Sequence, residues 1–313
     1  MTDDGNKTGA FRRLDKIVQA ALIERWQLSV TRISSLGGRN ALNWRIDNPG
    51  GSYVAKLIRP GDSDLDQLIT GLKVAAAIAA PDLPVPAAVP NSHGSWIDEL
   101  PEGSLVVLRW IPGGPLCANK VADVEAVGTT IALMHDRLAQ LDPPQGVPSW
   151  PWSWLSLEAL GPEDSGDIAL VRSAVETARE AAPTVGLLHG DPTIANFIDA
   201  NGVTAVLDWG SVLAGPILYD LAVAQLDLTR AGSDPSAVTA LERAYLARRP
   251  DAAADWQHLP ILRRLRCAAE IVYFTSRLRL TARTPAHYAA AVAGLDRART
   301  SLKTTPSLDA EPE

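Results

Sequence analysis

The chain has 313 residues, of which 46% are hydrophobic and 21% charged. That length predicts two domains or lobes and a core large enough to stand without staples. Lys and Arg number 29 and Asp and Glu 36, a net charge of −7 that argues against a nucleic-acid coat binder, whose footprint is basic. Cys117 and Cys267 are the only cysteines and neither belongs to a Cys/His cluster, so no disulfide framework or structural zinc is expected. The polar opening MTDDGNKTGAFRRLDK lacks the apolar stretch of a signal peptide, and no segment reads as a membrane span. The expectation is a soluble, cytoplasmic protein with neither a nucleic-acid nor a membrane partner.

Leu14, Ile17, Val18, Ala21, Leu22 and Trp26 recur at helical spacing, which predicts a helix over 11–26. Three β-type runs follow at 28–36, 42–47 and 52–58, and Gly37-Gly38-Arg39-Asn40 reads as the hairpin loop between the first two. Asp62 or Ser63 caps an expected helix over 63–80, and two further β-type runs occupy 94–98 and 105–111. The character changes at Pro112-Gly113-Gly114-Pro115. Beyond it the periodicity predicts helices over 121–140, 166–182, 216–230, 236–248, 257–280 and 285–303, with β-type runs near 186–188 and 203–207. These patterns divide the chain into an N-terminal unit, 1–111, a C-terminal unit, 112–303, and a polar tail, 304–313, expected to be disordered.

The chemistry concentrates in LLHGDPTIANFIDANGVTAVLDWG, residues 187–210. His189-Gly190-Asp191 sets a carboxylate on a tight loop, and Asn196 follows five positions later. Asn201-Gly202 is a strong hairpin signal that folds 203–207 back beside 196–198 and so brings Asp208 close to Asn196. Oxygen donors of this kind suit magnesium, which takes a few carboxylate or amide oxygens plus substrate phosphates and water. Phosphoryl transfer needs such a metal together with a separate carboxylate to receive the proton of the attacking hydroxyl. On this reading Asp191 is the base, and Asn196 and Asp208 are the metal ligands.

His189-Gly190-Asp191, Asn196, Asp208-Trp209 and Tyr219-Asp220-Leu221-Ala222 together resemble the aminoglycoside phosphotransferase and small-molecule kinase family. The resemblance implies an α+β, bilobal protein-kinase-like fold, with an N-terminal antiparallel sheet lobe that binds nucleotide and a larger, mainly helical C-terminal lobe that binds the acceptor. It implies ATP and Mg2+ as cofactors, and as partners a nucleotide and a small hydroxyl-bearing acceptor. The first guess for that acceptor is an aminoglycoside- or macrolide-like antibiotic, with a role in antibiotic resistance. A sugar, amino alcohol or hydroxy amino acid is the alternative. A nucleotide-binding but inactive module is a further one.

The N-terminal half carries the same likeness. Val54-Ala55-Lys56-Leu57 resembles the strand lysine that holds the α- and β-phosphates. Gly37 and Gly38 stand where the family covers the phosphates, and Arg109, Trp110 and Ile111 stand at the linker whose backbone binds adenine. His189 and Asp220 are expected to support the loop. One departure matters: the predicted helix 63–80 has no Glu to pair with Lys56, and its only acids are Asp64 and Asp66. Asp66, or failing that Asp64, is expected to reach Lys56 when nucleotide is bound and to stand apart from it in the free protein. Arg263, Arg264, Arg266, Arg277 and Arg279 on 257–280 form either a solvated face or a lining of the acceptor site.

Overall fold

The computed structural model describes residues 4–38, 41–59, 65–155, 160–161, 164–279 and 285–305. Arg39, Asn40, Asp62, Ser63 and Asp64 lie outside the described residues, as does the tail from 306.

The chain opens on α1, Asp4–Trp26, and continues into β1 (Arg32–Gly37), β2 (Leu42–Asn48) and β3 (Gly51–Ile58). Helix α2 (Leu65–Ile78) then crosses to β4 (Ile97–Leu100) and β5 (Gly103–Arg109). The five strands form one antiparallel sheet in the order β1-β2-β3-β5-β4.

Alternation along β3 decides which side chain meets which helix. Tyr53, Ala55 and Leu57 face α1 and pack with its Val18, Leu22 and Trp26 and with Trp44 and Ile46 of β2. Burying each large side chain of this layer contributes about 1.5–3 kcal/mol. Val54 and Ile58 have the opposite parity and pack with Leu68 and Leu72 of α2 and Val106 and Leu108 of β5. Lys56 shares their parity and lies opposite Val106, so the pleat places it on the face away from α1.

After a short strand β6, Gly114–Pro115, the chain is mainly helical: α3 (Val121–Leu138), α4 (Ser165–Glu180), α5 (Tyr219–Arg230), α6 (Pro235–Arg248), α7 (Leu259–Arg279) and α8 (Pro285–Thr304). Helix α3 packs on α6, and α7 packs on α4, α5 and α8. One apolar core joins Ile131, Met134, Leu221, Leu241, Leu262, Leu265 and Ile271. Between α4 and α5 lie β7 (Val185–Leu188), β8 (Phe197–Asp199), β9 (Thr204–Val206) and β10 (Leu213–Pro216). β7 pairs with β10, and β8 pairs with both β6 and β9. No helix among the described residues is long and apolar enough to cross a membrane.

Each expected element has a counterpart among the described residues, with ends shifted by up to four residues except for α1, which begins seven residues before the expected start. Trp152, one of three tryptophans after a proline-rich loop, is a packing residue: it is buried, donates its indole N–H to the Ala214 carbonyl and stacks on Trp154.

Candidate active site

The segment 189–196 links β7 to β8 and carries Asp191. Gly190 has φ +84°, and a Cβ there would lie 2.0 Å from the Ser211 carbonyl oxygen, so both conformation and space require glycine. The loop is held from below by Asp220, the second residue of α5, which is fully buried. Its two carboxylate oxygens accept the backbone N–H groups of His189 and Gly190 at 2.8 and 2.9 Å. The Asp220 Oδ2 atom also meets His135 Nε2 at 3.1 Å, and His135 Nδ1 meets the Tyr245 hydroxyl at 2.9 Å. His135 is thus a packed, hydrogen-bonded core residue. His189 braces the loop: Nε2 lies 2.9 Å from the Leu207 carbonyl, and Nδ1 accepts the Asp191 N–H at 3.3 Å. Both expected supports therefore stand where the sequence placed them.

Asn201 and Gly202 have φ of +59° and +87°, the signature of a type I′ hairpin turn, and join β8 to β9. The fold-back brings the Leu207 N–H to 2.8 Å from the Asn196 carbonyl oxygen. Asn196 donates Nδ2 to the Asp191 backbone carbonyl at 2.8 Å, which fixes the amide and leaves its Oδ1 as the outward oxygen. Asp208 follows with φ +56°, a left-handed conformation unusual outside glycine and characteristic of strained functional positions. Its Oδ1 lies 2.8 Å from Lys56 Nζ. Burial would raise the Asp208 carboxyl, but Lys56 outweighs it and holds the group below the ordinary carboxylate range. Lys56 and Asp208, 152 positions apart in sequence, thus meet at one point. Among the described residues Asp208 is the ion-pair partner of Lys56.

Helix α2 reaches the same point through an unusually close approach. A Cβ on Gly71 would lie 1.7 Å from the Trp209 carbonyl oxygen, so α2 rests directly on the backbone next to Asp208. Trp209 is buried and ties its indole N–H to the Val206 carbonyl at 3.0 Å. The neighbour to be displaced by a methyl group is backbone, which cannot rotate away. Gly71→Ala is therefore expected to lower unfolding free energy by about 1–3 kcal/mol, the range for overpacking. Thermal denaturation checks this, and an unchanged midpoint would show that α2 is not seated as described.

At the linker, the Arg109 N–H donates to the Ala87 carbonyl at 2.8 Å and the Trp110 N–H to the Ser52 carbonyl at 3.0 Å. Those two donors are committed within the sheet. Of the three residues expected to meet adenine, Ile111 is the one whose N–H has no hydrogen-bond partner among the described residues. Gly37, at φ +73°, and Gly38, at φ +135°, close β1 and begin the turn to β2. The Asn43 side chain anchors that turn by donating to the Gly37 carbonyl at 3.0 Å.

Arg266, one of the arginines read as either a solvated face or an acceptor lining, and Asp227, which the sequence did not single out, complete the surroundings of Asp191. Arg266 of α7 donates Nη2 to Asp191 Oδ1 at 2.7 Å. Asp227 of α5 accepts the Ile194 N–H at 2.9 Å. Burial, and secondarily the nearby Asp191 charge, raise the Asp227 carboxyl. Two other arginines of α7 go elsewhere: Arg264 caps the carbonyls of Leu302 and Thr305, and Arg279 pairs with Asp164.

A family model described as the phosphotransferase enzyme family matches residues 30–258. Homoserine kinase of Pseudomonas aeruginosa (strain LESB58) is 27% identical over 256 residues, covering 77% of this chain and 78% of the relative. Among solved structures, an amicoumacin kinase in complex with AMP-PNP, Ca2+ and Ami superposes with a TM-score of 0.75 at 14% identity, covering 96% of both chains. A microcompartment-associated aminopropanol kinase gives 0.70 at 18% identity over 92% of this chain and 95% of that one. A thermostable aminoglycoside phosphotransferase gives 0.63 at 20% identity over 91% and 98%. These likenesses show the α+β kinase-like fold, and the match over residues 30–258 shows the family: the chain belongs to the phosphotransferase enzyme family and is a small-molecule phosphotransferase with a hydroxyl acceptor.

Proposed function

We propose that the chain transfers the γ-phosphoryl group of ATP to the hydroxyl of a small amino alcohol or hydroxy amino acid. The observation that carries the chemistry is the convergence of Asp191, Asn196, Asp208 and Lys56: Lys56 meets Asp208 at 2.8 Å across 152 positions, Asn196 holds the Asp191 carbonyl at 2.8 Å within one loop, and the Leu207 N–H joins the two pairs through the Asn196 carbonyl at 2.8 Å. Asp191 orients the acceptor hydroxyl and takes its proton. Lys56 holds the nucleotide phosphates, Gly37 and Gly38 lie over them, and Ile111 meets the adenine.

Asn196 Oδ1 and the Asp208 carboxylate are hard oxygen donors and fit a divalent cation that completes its shell with phosphates and water. No cluster of three or more His, Cys, Asp or Glu able to hold a metal occurs among the described residues. Neutralisation of the phosphate charge is what magnesium supplies there.

For the acceptor, the support is twofold. The homoserine kinase match runs through 77% of the chain, and the aminopropanol kinase shares the fold; both names denote small acceptors that carry an amine and a hydroxyl. Asp227, on the helix beneath the catalytic loop, offers a carboxylate to an ammonium group near Asp191. A fixed guanidinium at 2.7 Å from Asp191 is a poor neighbour for a polycation. An aminoglycoside- or macrolide-like acceptor is the second reading, favoured by the fold likeness to an aminoglycoside phosphotransferase.

An ADP-release assay with homoserine, 1-amino-2-propanol and hygromycin B separates the two. The expected result is acceptor-dependent release with one of the small compounds and none above background with hygromycin B. Release with the antibiotic alone would replace the first reading by the second. ATP turnover that no acceptor stimulates would contradict both.

A further inference from the structure

Asp191 is the terminus of a line of alternating charges that runs through the helical half of the protein. Arg266 donates Nη2 to Asp191 Oδ1 at 2.7 Å, Nη1 to the Gly190 carbonyl at 3.4 Å and Nε to Glu270 Oε1 at 3.1 Å. Glu270 in turn accepts both arms of Arg230 at 2.9 and 2.7 Å, and Arg230 Nε reaches Ser301 Oγ at 3.2 Å. The line therefore connects the catalytic loop to α7, α5 and α8. The Arg266 and Glu270 side chains are only 19% and 13% exposed, whereas Asp191 is 33% exposed. Asp191 is the most exposed of the four charged members.

We propose that Arg266 is the positioning residue of Asp191: it holds one carboxylate oxygen, Oδ1, so that the other, Oδ2, faces the acceptor hydroxyl. This rests on the reading of Asp191 as the base. Three features support it. The guanidinium is a planar fork, and its engagement with Asp191, Gly190 and Glu270 together leaves it one orientation. It grips the loop at two successive residues, the Gly190 carbonyl and the Asp191 side chain, so it fixes the carboxylate relative to its own backbone. Among the described residues Oδ2 has no hydrogen-bond partner, so it is the oxygen available to substrate.

The charges along the line are matched. Burial opposes the charged form of Arg266, but Asp191 and Glu270 outweigh it and hold the guanidinium well above its ordinary range. Burial likewise would raise Glu270, and Arg266 and Arg230 reverse this and lower it. Tyr219 is buried, which pushes its hydroxyl up to about 12, and it stays protonated. None of the members behind Asp191 therefore competes to take the acceptor proton. In the transfer the acceptor O–H bond breaks and its proton passes to Asp191 Oδ2. The new O–P bond forms as the bond from the γ-phosphorus to the β,γ-bridging oxygen breaks, and ADP leaves with that electron pair.

The test is a double-mutant cycle on turnover with Asp191→Asn and Arg266→Met, alongside nucleotide titration. Small displacements of a reacting group cost up to about a hundredfold, so R266M is expected to lower kcat about tenfold to a hundredfold, with nucleotide Kd and acceptor KM within about twofold of the parent. In the D191N background the same substitution is expected to change kcat by less than about twofold, because the residue it positions is already disabled. Arg266→Lys keeps the charge without the fork and is expected to fall between parent and R266M; if R266M does not fold, R266K carries the test. A kcat within about twofold of the parent in a folded R266M or R266K would overturn the proposal. So would effects of R266M and D191N that simply multiply while D191N alone is inactive, and in that case the base assignment stands. A D191N variant with parental turnover would remove the base assignment and this proposal together.

Discussion

Asp191→Asn is expected to bind nucleotide as the parent chain does and to lose turnover by about 10²- to 10⁴-fold, the usual value of general-base assistance. The substitution is nearly isosteric. The side chain stays in reach of Arg266, and the loop keeps its supports from Asp220 and His189, none of which involves the Asp191 carboxylate. What disappears is an oxygen able to take a proton. Steady-state kinetics with a fixed acceptor, paired with a nucleotide titration, check the expectation. Parental turnover in this variant would mean that the proton leaves by another route.

Asp208→Ala is expected to abolish the strengthening of nucleotide binding by magnesium. Alterations around a metal site already cost about 10–100-fold, so loss of a direct ligand is expected to reduce turnover by at least about a hundredfold. Two effects combine here. The carboxylate is lost, and alanine must adopt φ +56°, which asparagine and aspartate tolerate better. Asp208→Asn isolates the first effect, since it keeps the backbone-compatible shape and removes the charge that pairs with Lys56. It is expected to fold like the parent and still to lose most of the magnesium dependence. Titration of AMP-PNP with and without magnesium reads this directly, and an unchanged dependence in both variants would relocate the metal.

Much of this arrangement was legible in the sequence because it rests on local rules. The parity of β3 puts Lys56 on one face whatever the loops do. The Asn201-Gly202 pair dictates a hairpin that carries Asp208 back to Asn196. The spacing of Asp191 and Asn196 sets both on one loop. Arg266 was not legible in its role. Helix α7 carries five arginines, and periodicity does not distinguish the one that meets a carboxylate 75 positions away from those that cap carbonyls or pair at the surface.

Gly71 escaped for a related reason. A glycine inside a helix is a weak signal until the backbone it faces is known, and here that backbone comes from Trp209. The linker shows the limit from the other side. It lies at the end of β5 as the pattern predicts, but the hydrogen bonds that its N–H groups donate to the Ala87 and Ser52 carbonyls decide which of them are available, and those acceptors are set by tertiary pairing.

Helix α2 offers Lys56 no Glu. The 2.8 Å contact to Asp208 shows that an anionic partner is present within the loop machinery itself. Retention of Asp191, Asn196, Asp208 and Lys56 in one place argues against an inactive module.

The measurement that bears most directly on the central claim is the mass of the acceptor recovered after incubation with ATP, magnesium and a mixture of small hydroxy amines. The account predicts that one acceptor gains the mass of a single phosphoryl group on its hydroxyl, in step with ADP and only in the presence of a functional Asp191. ATP converted to ADP and inorganic phosphate with every acceptor recovered unmodified would contradict it.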